Sequence, residues 1–391
     1  MGTPFSATGN QMVAEAMRQA KPDVMAAYPI TPQTTIVETF AKFVAQGRVH
    51  TEFVTVESEH SALSACVGAS AAGARVCTAT ASQGLAYMWE VLPIAAGMRL
   101  PIVMANSNRA LSAPLTIHVD HSDIMGVRDS GWIIMFAETA QEAYDNTVIS
   151  FKIAEDHRVL LPVLTTLDGF ITSHAMETCE MNTDEEVAAF VGDYQPLFAL
   201  LDTEHPNGQG SYTNIAEFVK GRFALRAAVD KALPVVEEHG KAWAGVTGRP
   251  FDVVDTWGTE DADYLVVILG SAAGNFRHVA RQLRAEGKKV GVVRPRVYRP
   301  FPLDAVVDAC KGAKAVAVMD RSDSVGGVTG PLAADTFAAF YGAGLSVPVC
   351  NYIYGLGGED VPNDMVRFVY EQLERLAESG ASAAHSVYLG M

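Results

Sequence analysis

Four groups of side chains in the first third of the chain could do chemistry. Tyr28-Pro29-Ile30-Thr31-Pro32 places one hydroxyl between two prolines. Each proline lacks an amide donor and fixes φ, so the loop is stiff and can hold Thr31 in place. A plainer reading makes Thr31 the N-cap of the helix that would carry Ile36, Phe40 and Phe43. Glu57 and Glu59 follow an alternating segment, 49–56, and precede a run of small residues from Ser61 to Ala74. Small residues let a helix approach its neighbours closely, which places this helix deep in the structure. The two glutamates at its mouth are either functional or simply favoured there by the helix dipole. Arg109 offers a planar guanidinium suited to two-point contact with a carboxylate, or else a surface ion pair. Asp120-His121-Ser122-Asp123 resembles a metal site or a triad, but adjacent residues rarely converge on one atom. That run reads instead as a polar loop capping the next helix.

The elements that must position these groups alternate strand, loop and helix. Helical spacing over 8–19 leads to a strand at 23–27, the proline loop, and a helix at 34–46. Further strands are expected at 75–81, 101–105, 131–137 and 159–165, with a helix at 85–97. Repeated β-loop-α units imply a parallel sheet, whose ligands sit outside the carboxyl ends of the strands. Thr31, Glu59, Gln83 and the segment after Ala105 all fall at such ends. Periodicity is lost over 178–215, read as an irregular excursion, and a helix is expected over 215–239. A Gly/Pro-bearing stretch, 245–250, marks the boundary between a first domain, 1–245, and a second, 246–391. The second has strands at 264–269, 289–293, 315–320 and 347–353, an extended proline-rich turn at 294–302, and a glycine turn at 270–274. A full G-x-G-x-x-G is absent from that turn, which argues against nucleotide binding. The fold class is α/β: a parallel-sheet domain followed by a smaller α/β domain.

Composition narrows the function. The chain has 391 residues, 49% of them hydrophobic, and a formal net charge of −16. Nucleic acid and anionic membranes are bound mainly through clustered Lys and Arg, so neither is an expected partner. The five cysteines stand far apart with no C-x-x-C pair, so no metal is expected on this chain and a reducing compartment is. No signal-peptide pattern and no apolar run of membrane-spanning length is present, and the expected location is the cytoplasm.

Four ordered motifs carry a resemblance. Tyr-Pro-Ile-Thr-Pro at 28–32, Glu59 before the small-residue helix, Thr-Ala-Ser-Gln-Gly at 80–84 and Asn-Arg-Ala-Leu-Ser-Ala-Pro at 108–114 are similar to the α subunits of 2-oxoacid:ferredoxin oxidoreductases, most of all the branch acting on pyruvate. The second half resembles a transketolase C-terminal-like domain, through Val-Tyr-Arg-Pro-Phe-Pro at 297–302 and Gly-Leu-Gly-Gly at 355–358. The resemblance implies that the first domain binds the aminopyrimidine of thiamine diphosphate. Glu59 would contact the ring nitrogen, Pro29 would line the cofactor site, and Thr31 and Arg109 would contact the 2-oxoacid. It implies oxidative decarboxylation of pyruvate with CoA to acetyl-CoA and carbon dioxide, reducing ferredoxin. Phenylglyoxylate, branched-chain 2-oxoacids, 2-oxoglutarate and oxalate are the alternative substrates, and a non-catalytic assembly subunit is the alternative of another class. The chain lacks the family's Gly-Asp-Gly diphosphate motif. A β subunit is therefore expected to supply the diphosphate and Mg site, and other iron-sulfur and CoA-binding subunits or domains the [4Fe-4S] clusters that pass electrons to ferredoxin.

Overall fold

Short β-branched runs alternating with helical spacing form βα units. The computed structural model describes residues 4–210, 212–380 and 385–391. The first half contains β1 (Phe5–Ala7), α1 (Gly9–Gln19), β2 (Val24–Ala27), α2 (Thr34–Ala45), β3 (Glu52–Thr55), α3 (Glu59–Ala71) and β4 (Val76–Thr80). It continues through α4 (Ser82–Tyr87), α5 (Leu92–Gly97), β5 (Ile102–Asn108), α6 (Ser122–Val127), β6 (Ile133–Phe136), α7 (Ala140–Ala154), β7 (Val163–Asp168), β8 (Glu177–Cys179), α8 (Asp184–Val191) and α9 (Ile215–Thr247). The second half contains β9 (Val254–Trp257), β10 (Tyr264–Ile268), α10 (Ala272–Ala285), β11 (Val290–Pro295), β12 (Val297–Arg299) and α11 (Leu303–Cys310). β13 (Ala315–Asp320), α12 (Pro331–Gly342), β14 (Val349–Ile353), a 3-10 turn (Leu356–Gly358), α13 (Asn363–Ser379) and β15 (Val387–Tyr388) complete it.

Seven strands in the order β12-β6-β7-β5-β4-β2-β3 make the first sheet, and all neighbours are parallel except β12 on β6. The second sheet runs β15-β14-β13-β10-β11-β9, parallel except for β9 on β11. Every residue of β4, β5 and β7 is buried, which is why these strands read as continuous apolar and small-polar runs rather than alternating ones. No helix among the described residues is long and apolar enough to cross a membrane.

Several expectations change. The excursion at 178–215 is not irregular throughout. It holds part of β8, and α8 begins with a capping box in which Thr183 and Glu186 satisfy each other's amides. The helix expected at 85–97 is two short ones, because Pro93 opens α5. Helix α9 does not end at 239. It runs through Pro234 to Thr247, stops at Gly248 with φ +73, and therefore crosses the expected domain boundary. Ala232, Val235, Val236, His239 and Trp243 are buried along it, and that packing offsets the hydrogen bond lost at the proline. Val297–Arg299, expected as a turn, is a strand that adds the second half's backbone to the first sheet.

Charge joins the two sheets on a buried side. Arg294, 2% exposed, donates to both carboxylate oxygens of Glu142 (2.9 and 2.8 Å) and to Asp255 (3.1 and 3.2 Å). Arg277 reaches Asp255 at 2.6 Å and also bonds Glu138. Burial alone would raise the Glu142 carboxyl, but Arg296 and Arg294 outweigh it and hold the group at about 2.

Candidate functional site

The proline loop leaves β2 and is clamped from below. Gln33, fully buried, donates to the carbonyls of Tyr28 (3.0 Å) and Ala79 (2.8 Å). Asn10 donates to the Pro32 carbonyl at 2.8 Å and accepts from the Ser107 hydroxyl at 2.9 Å. A Cβ on Gly169 would lie 2.2 Å from the Asn108 oxygen and 2.8 Å from the Pro32 ring, so glycine is required for this close approach. Thr31 is not a helix cap, since Gln33 occupies the N-cap position of α2. Pro29 and Thr31 stay exposed above the clamp, and among the described residues the Thr31 hydroxyl has no partner.

Strand β3 delivers Glu57 and Glu59 into different surroundings. Glu57 is exposed and accepts from the Ser61 hydroxyl at 2.7 Å, a bond that lowers its pKa. Glu59 opens α3, is 8% exposed, and receives no hydrogen bond to its carboxylate from any described residue. Facing it is the turn after β4, where Ser82 takes φ +49, a left-handed conformation uncommon for a residue with a side chain. The turn places Gly84 so close that a Cβ there would lie 2.8 Å from Glu59 Oε1 and 2.6 Å from Thr80 Oγ1. That Thr80 oxygen is buried and has no partner among the described residues. Two polar groups thus converge beside Gly84 with no mutual or internal satisfaction, a costly arrangement in a closed core. An unpartnered carboxylate at the mouth of the sheet fits a ligand that brings its own donor, as a protonated or aminated heterocycle does.

Arg109 leaves the end of β5 and is 8% exposed. Its Nη1 donates to the Thr31 carbonyl at 3.0 Å and its Nε to the Thr116 carbonyl at 3.0 Å. No described carboxylate pairs with the guanidinium, so the surface ion-pair reading fails and its charge is available to a ligand. The structure therefore brings Thr31 and Arg109 together. Gln83 joins the same rim, with its Nε2 3.0 Å from the Ser112 hydroxyl.

The run Asp120–Asp123 does more than cap a helix. Asp120 does accept from the Ser122 amide at 2.9 Å, but His121 and Asp123 are each 1% exposed. His121 Nε2 lies 2.8 Å from Asp168 Oδ1. Asp168 also accepts from Arg321 (3.2 Å) and from the amide (3.1 Å) and hydroxyl (2.5 Å) of Ser271. Burial would raise the Asp168 carboxyl, yet His121 and Arg321 hold it well below its ordinary range. Asp123 is fixed by its own set of donors, and burial raises its carboxyl. Sequence reasoning missed Gln33, Asn10, His121, Asp123 and Asp168. Asn106 and Asn108, two polar residues on one face at the end of an otherwise apolar strand, were the signal that a buried acceptor lay above them.

Among the described residues no group of three or more His, Cys, Asp or Glu side chains could hold a metal ion. The five cysteines are free and buried, and burial pushes Cys66, Cys310 and Cys350 up to about 12.

Two family models match the chain: "Pyruvate flavodoxin/ferredoxin oxidoreductase, thiamine diP-bdg" over residues 15–241, and "Pyruvate:ferredoxin oxidoreductase core domain II" over 262–366. Pyruvate synthase subunit PorA of Thermotoga maritima is 47% identical over 364 residues, covering 93% of each chain. The protein of the same name from Pyrococcus furiosus is 43% identical, covering 95% of this chain and 93% of its own. Ketoisovalerate oxidoreductase subunit VorA of Pyrococcus horikoshii is 40% identical, covering 95% and 94%. Among solved structures, a 2-oxoglutarate:ferredoxin oxidoreductase from Magnetococcus marinus superposes with a TM-score of 0.71 at 21% identity, covering 95% of this chain and 65% of that one. The last likeness concerns the fold.

Proposed function

The chain belongs to the pyruvate flavodoxin/ferredoxin oxidoreductase family, and from that premise we propose that it is the α subunit of a thiamine diphosphate-dependent pyruvate:ferredoxin oxidoreductase. The reaction is oxidative decarboxylation of pyruvate with CoA to acetyl-CoA and carbon dioxide, with two electrons passed to ferredoxin, and it is reversible. The observation that carries the reading is the Glu59 carboxylate, buried beside Gly84 and Thr80 without a partner among the described residues. When bound, thiamine diphosphate supplies a carbanion that adds to the substrate carbonyl and stores the electrons left by decarboxylation. Glu59 holds the proton at the aminopyrimidine nitrogen, Pro29 borders the ring, Thr31 donates to a substrate oxygen, and Arg109 takes the carboxylate.

The rest of the machinery belongs to partners. A β subunit carries the diphosphate site with its Mg, further subunits carry [4Fe-4S] clusters and bind CoA, and the assembly works in the cytoplasm. Calorimetry tests this division. The isolated chain binds thiamine diphosphate weakly with or without Mg, whereas the assembled complex binds it tightly. Tight Mg-dependent binding by the lone chain contradicts the division.

A branched-chain 2-oxoacid is the second reading, favoured by the 40% identity to the VorA subunit. Thr31 and Arg109 contact only the head group shared by all 2-oxoacids. The tail is judged by apolar walls, which discriminate by only about 1–3 kcal/mol per methylene. Comparing kcat/KM for pyruvate and 3-methyl-2-oxobutanoate separates the two readings.

A further inference from the structure

The residue that holds the substrate arginine is not itself at the mouth of the site. Asn106 and Asn108 alternate along β5, so their side chains share one face of the strand, and both are fully buried. Both amide nitrogens point to Asp123. Asn108 Nδ2 donates to its Oδ1 and Asn106 Nδ2 to its Oδ2, each at 3.0 Å. The backbone supplies three more donors: Ile124 N at 2.7 Å to Oδ1, and Ser82 N at 3.0 Å and Arg109 N at 3.1 Å to Oδ2. A carboxylate offers about four lone-pair positions, so this one is saturated and has a single orientation. Hydrogen bonds to an ionised acceptor are the stronger kind.

We propose that Asp123 is the positioning residue for Arg109, and that it works through the Arg109 backbone amide rather than through the guanidinium. The inference rests on the reading of Arg109 as the 2-oxoacid carboxylate site. An acidic residue placed against the guanidinium would fix the side chain but neutralise it. Bonding the amide fixes the point where the chain leaves the strand and leaves the positive charge for the substrate. Among the described residues the guanidinium itself meets only neutral carbonyls, those of Thr31 and Thr116. The same Oδ2 anchors Ser82, whose left-handed backbone sets up the Gly84 turn against Glu59. One buried carboxylate therefore places the arginine and the turn facing Glu59 in a common frame. Asparagine cannot replace it, because an NH2 at either position would face at least two donors.

The test is steady-state kinetics of the assembled complex carrying Asp123→Asn, Asn106→Ala, Arg109→Ala and the double combinations with Arg109→Ala. Asp123→Asn is expected to raise KM for the 2-oxoacid about tenfold to a hundredfold, the scale of a lost charge-assisted bond. The KM for CoA should stay within about twofold, and in the Arg109→Ala background the Asp123 substitution should add no more than about twofold to the 2-oxoacid KM. Asn106→Ala removes one donor from the same oxygen and should raise that KM about threefold, again only when Arg109 is present. Should Asp123→Asn fail to assemble, the Asn106→Ala cycle decides by itself. Multiplicative effects with Arg109→Ala on the 2-oxoacid KM, or parallel rises in KM for CoA and 2-oxoacid, overturn the assignment; a loss transmitted through the Ser82 turn falls on kcat. An Arg109→Ala complex with an unchanged 2-oxoacid KM overturns both the assignment and the reading beneath it, and is distinguishable because it needs no Asp123 variant.

Discussion

The two sheets end alike and are used differently. Both finish their parallel strands in turns that lead into helices, and each has a glycine turn among them, Gly169 after β7 and Gly270 after β10. At the mouth of the first sheet Glu59, the Thr80 hydroxyl, the Asn106 side-chain oxygen and the Thr31 hydroxyl lack partners among the described residues. At the mouth of the second sheet most of the corresponding groups are taken, the buried Tyr354 hydroxyl being an exception. Ser271 and Arg321 are bonded to Asp168 at the end of β7 in the first sheet. Asp320, buried enough to push its carboxyl up to about 7, accepts from Leu332 N (2.7 Å), Ala333 N (3.1 Å) and Asn351 Nδ2 (2.8 Å). Gly270 has the positive φ, +68, of a ligand-cradling turn, but a Cβ there would lie 3.0 Å from Asp168 Oδ2. The turn cradles a carboxylate of its own chain. Since buried polar groups are normally satisfied, unsatisfied ones mark where a ligand is expected, and saturated ones mark a docking surface.

The contrast can be broken by substitution. Glu59→Gln in the assembled complex should lower turnover about a hundredfold or more, while the exposed Glu57→Gln should change it less than about threefold. Equal effects would erase the distinction between the two carboxylates. Gly84→Ala puts a methyl group into the space shared by Glu59 and Thr80, and should weaken thiamine diphosphate binding about tenfold by calorimetry. Gly68→Ala, with nothing within 4 Å of the new methyl, is the control and should leave affinity unchanged. Thr31→Val should raise KM by a smaller factor, about three- to tenfold, and equally for pyruvate, 2-oxobutyrate and phenylglyoxylate. A reordering of the three acids would show that Thr31 senses the tail.

The ion-paired junction between the sheets should respond to acid instead. The Glu142 carboxyl lies at about 2 against an ordinary 4.5, so a depressed acid contributes stability that is present above pH 4.5 and lost as pH falls toward 2. Denaturant midpoints of the chain should decline across that window, and the decline should be shallower in Glu142→Gln. An unchanged slope would remove Glu142 from the junction's energetics.

Much of the first half of the chain was legible because its signals are local. The Pro-Ile-Thr-Pro loop, the small-residue helix behind Glu59 and the strand ends carrying Thr31, Gln83 and Arg109 all follow from periodicity and turn chemistry. What was not legible depends on distant pairing. Asp123 looks like a capping residue until Ser82 and Arg109, 41 and 14 positions away, are brought to it by β4 and β5. The proline-rich 297–302 segment carries no alternation that would announce β12, whose partner β6 lies far upstream. The expected end of α9 at 239 follows from the Gly/Pro-bearing stretch at 245–250, which reads as a boundary, whereas the burial of His239, Trp243 and Thr247 that carries the helix on to Thr247 shows only in the packing.

Turnover integrates substrate binding, electron transfer and product release, so it tests Glu59 only indirectly. The proton at C2 of bound thiamine diphosphate is closer to the claim, because its exchange with solvent deuterium needs no 2-oxoacid, CoA or ferredoxin. Quenched-flow NMR of the assembled complex reads that exchange. The expected result is a rate slowed about a hundredfold or more in Glu59→Gln and unchanged in Glu57→Gln. An unchanged rate in Glu59→Gln, with the cofactor bound, would contradict the assignment of this carboxylate to the aminopyrimidine.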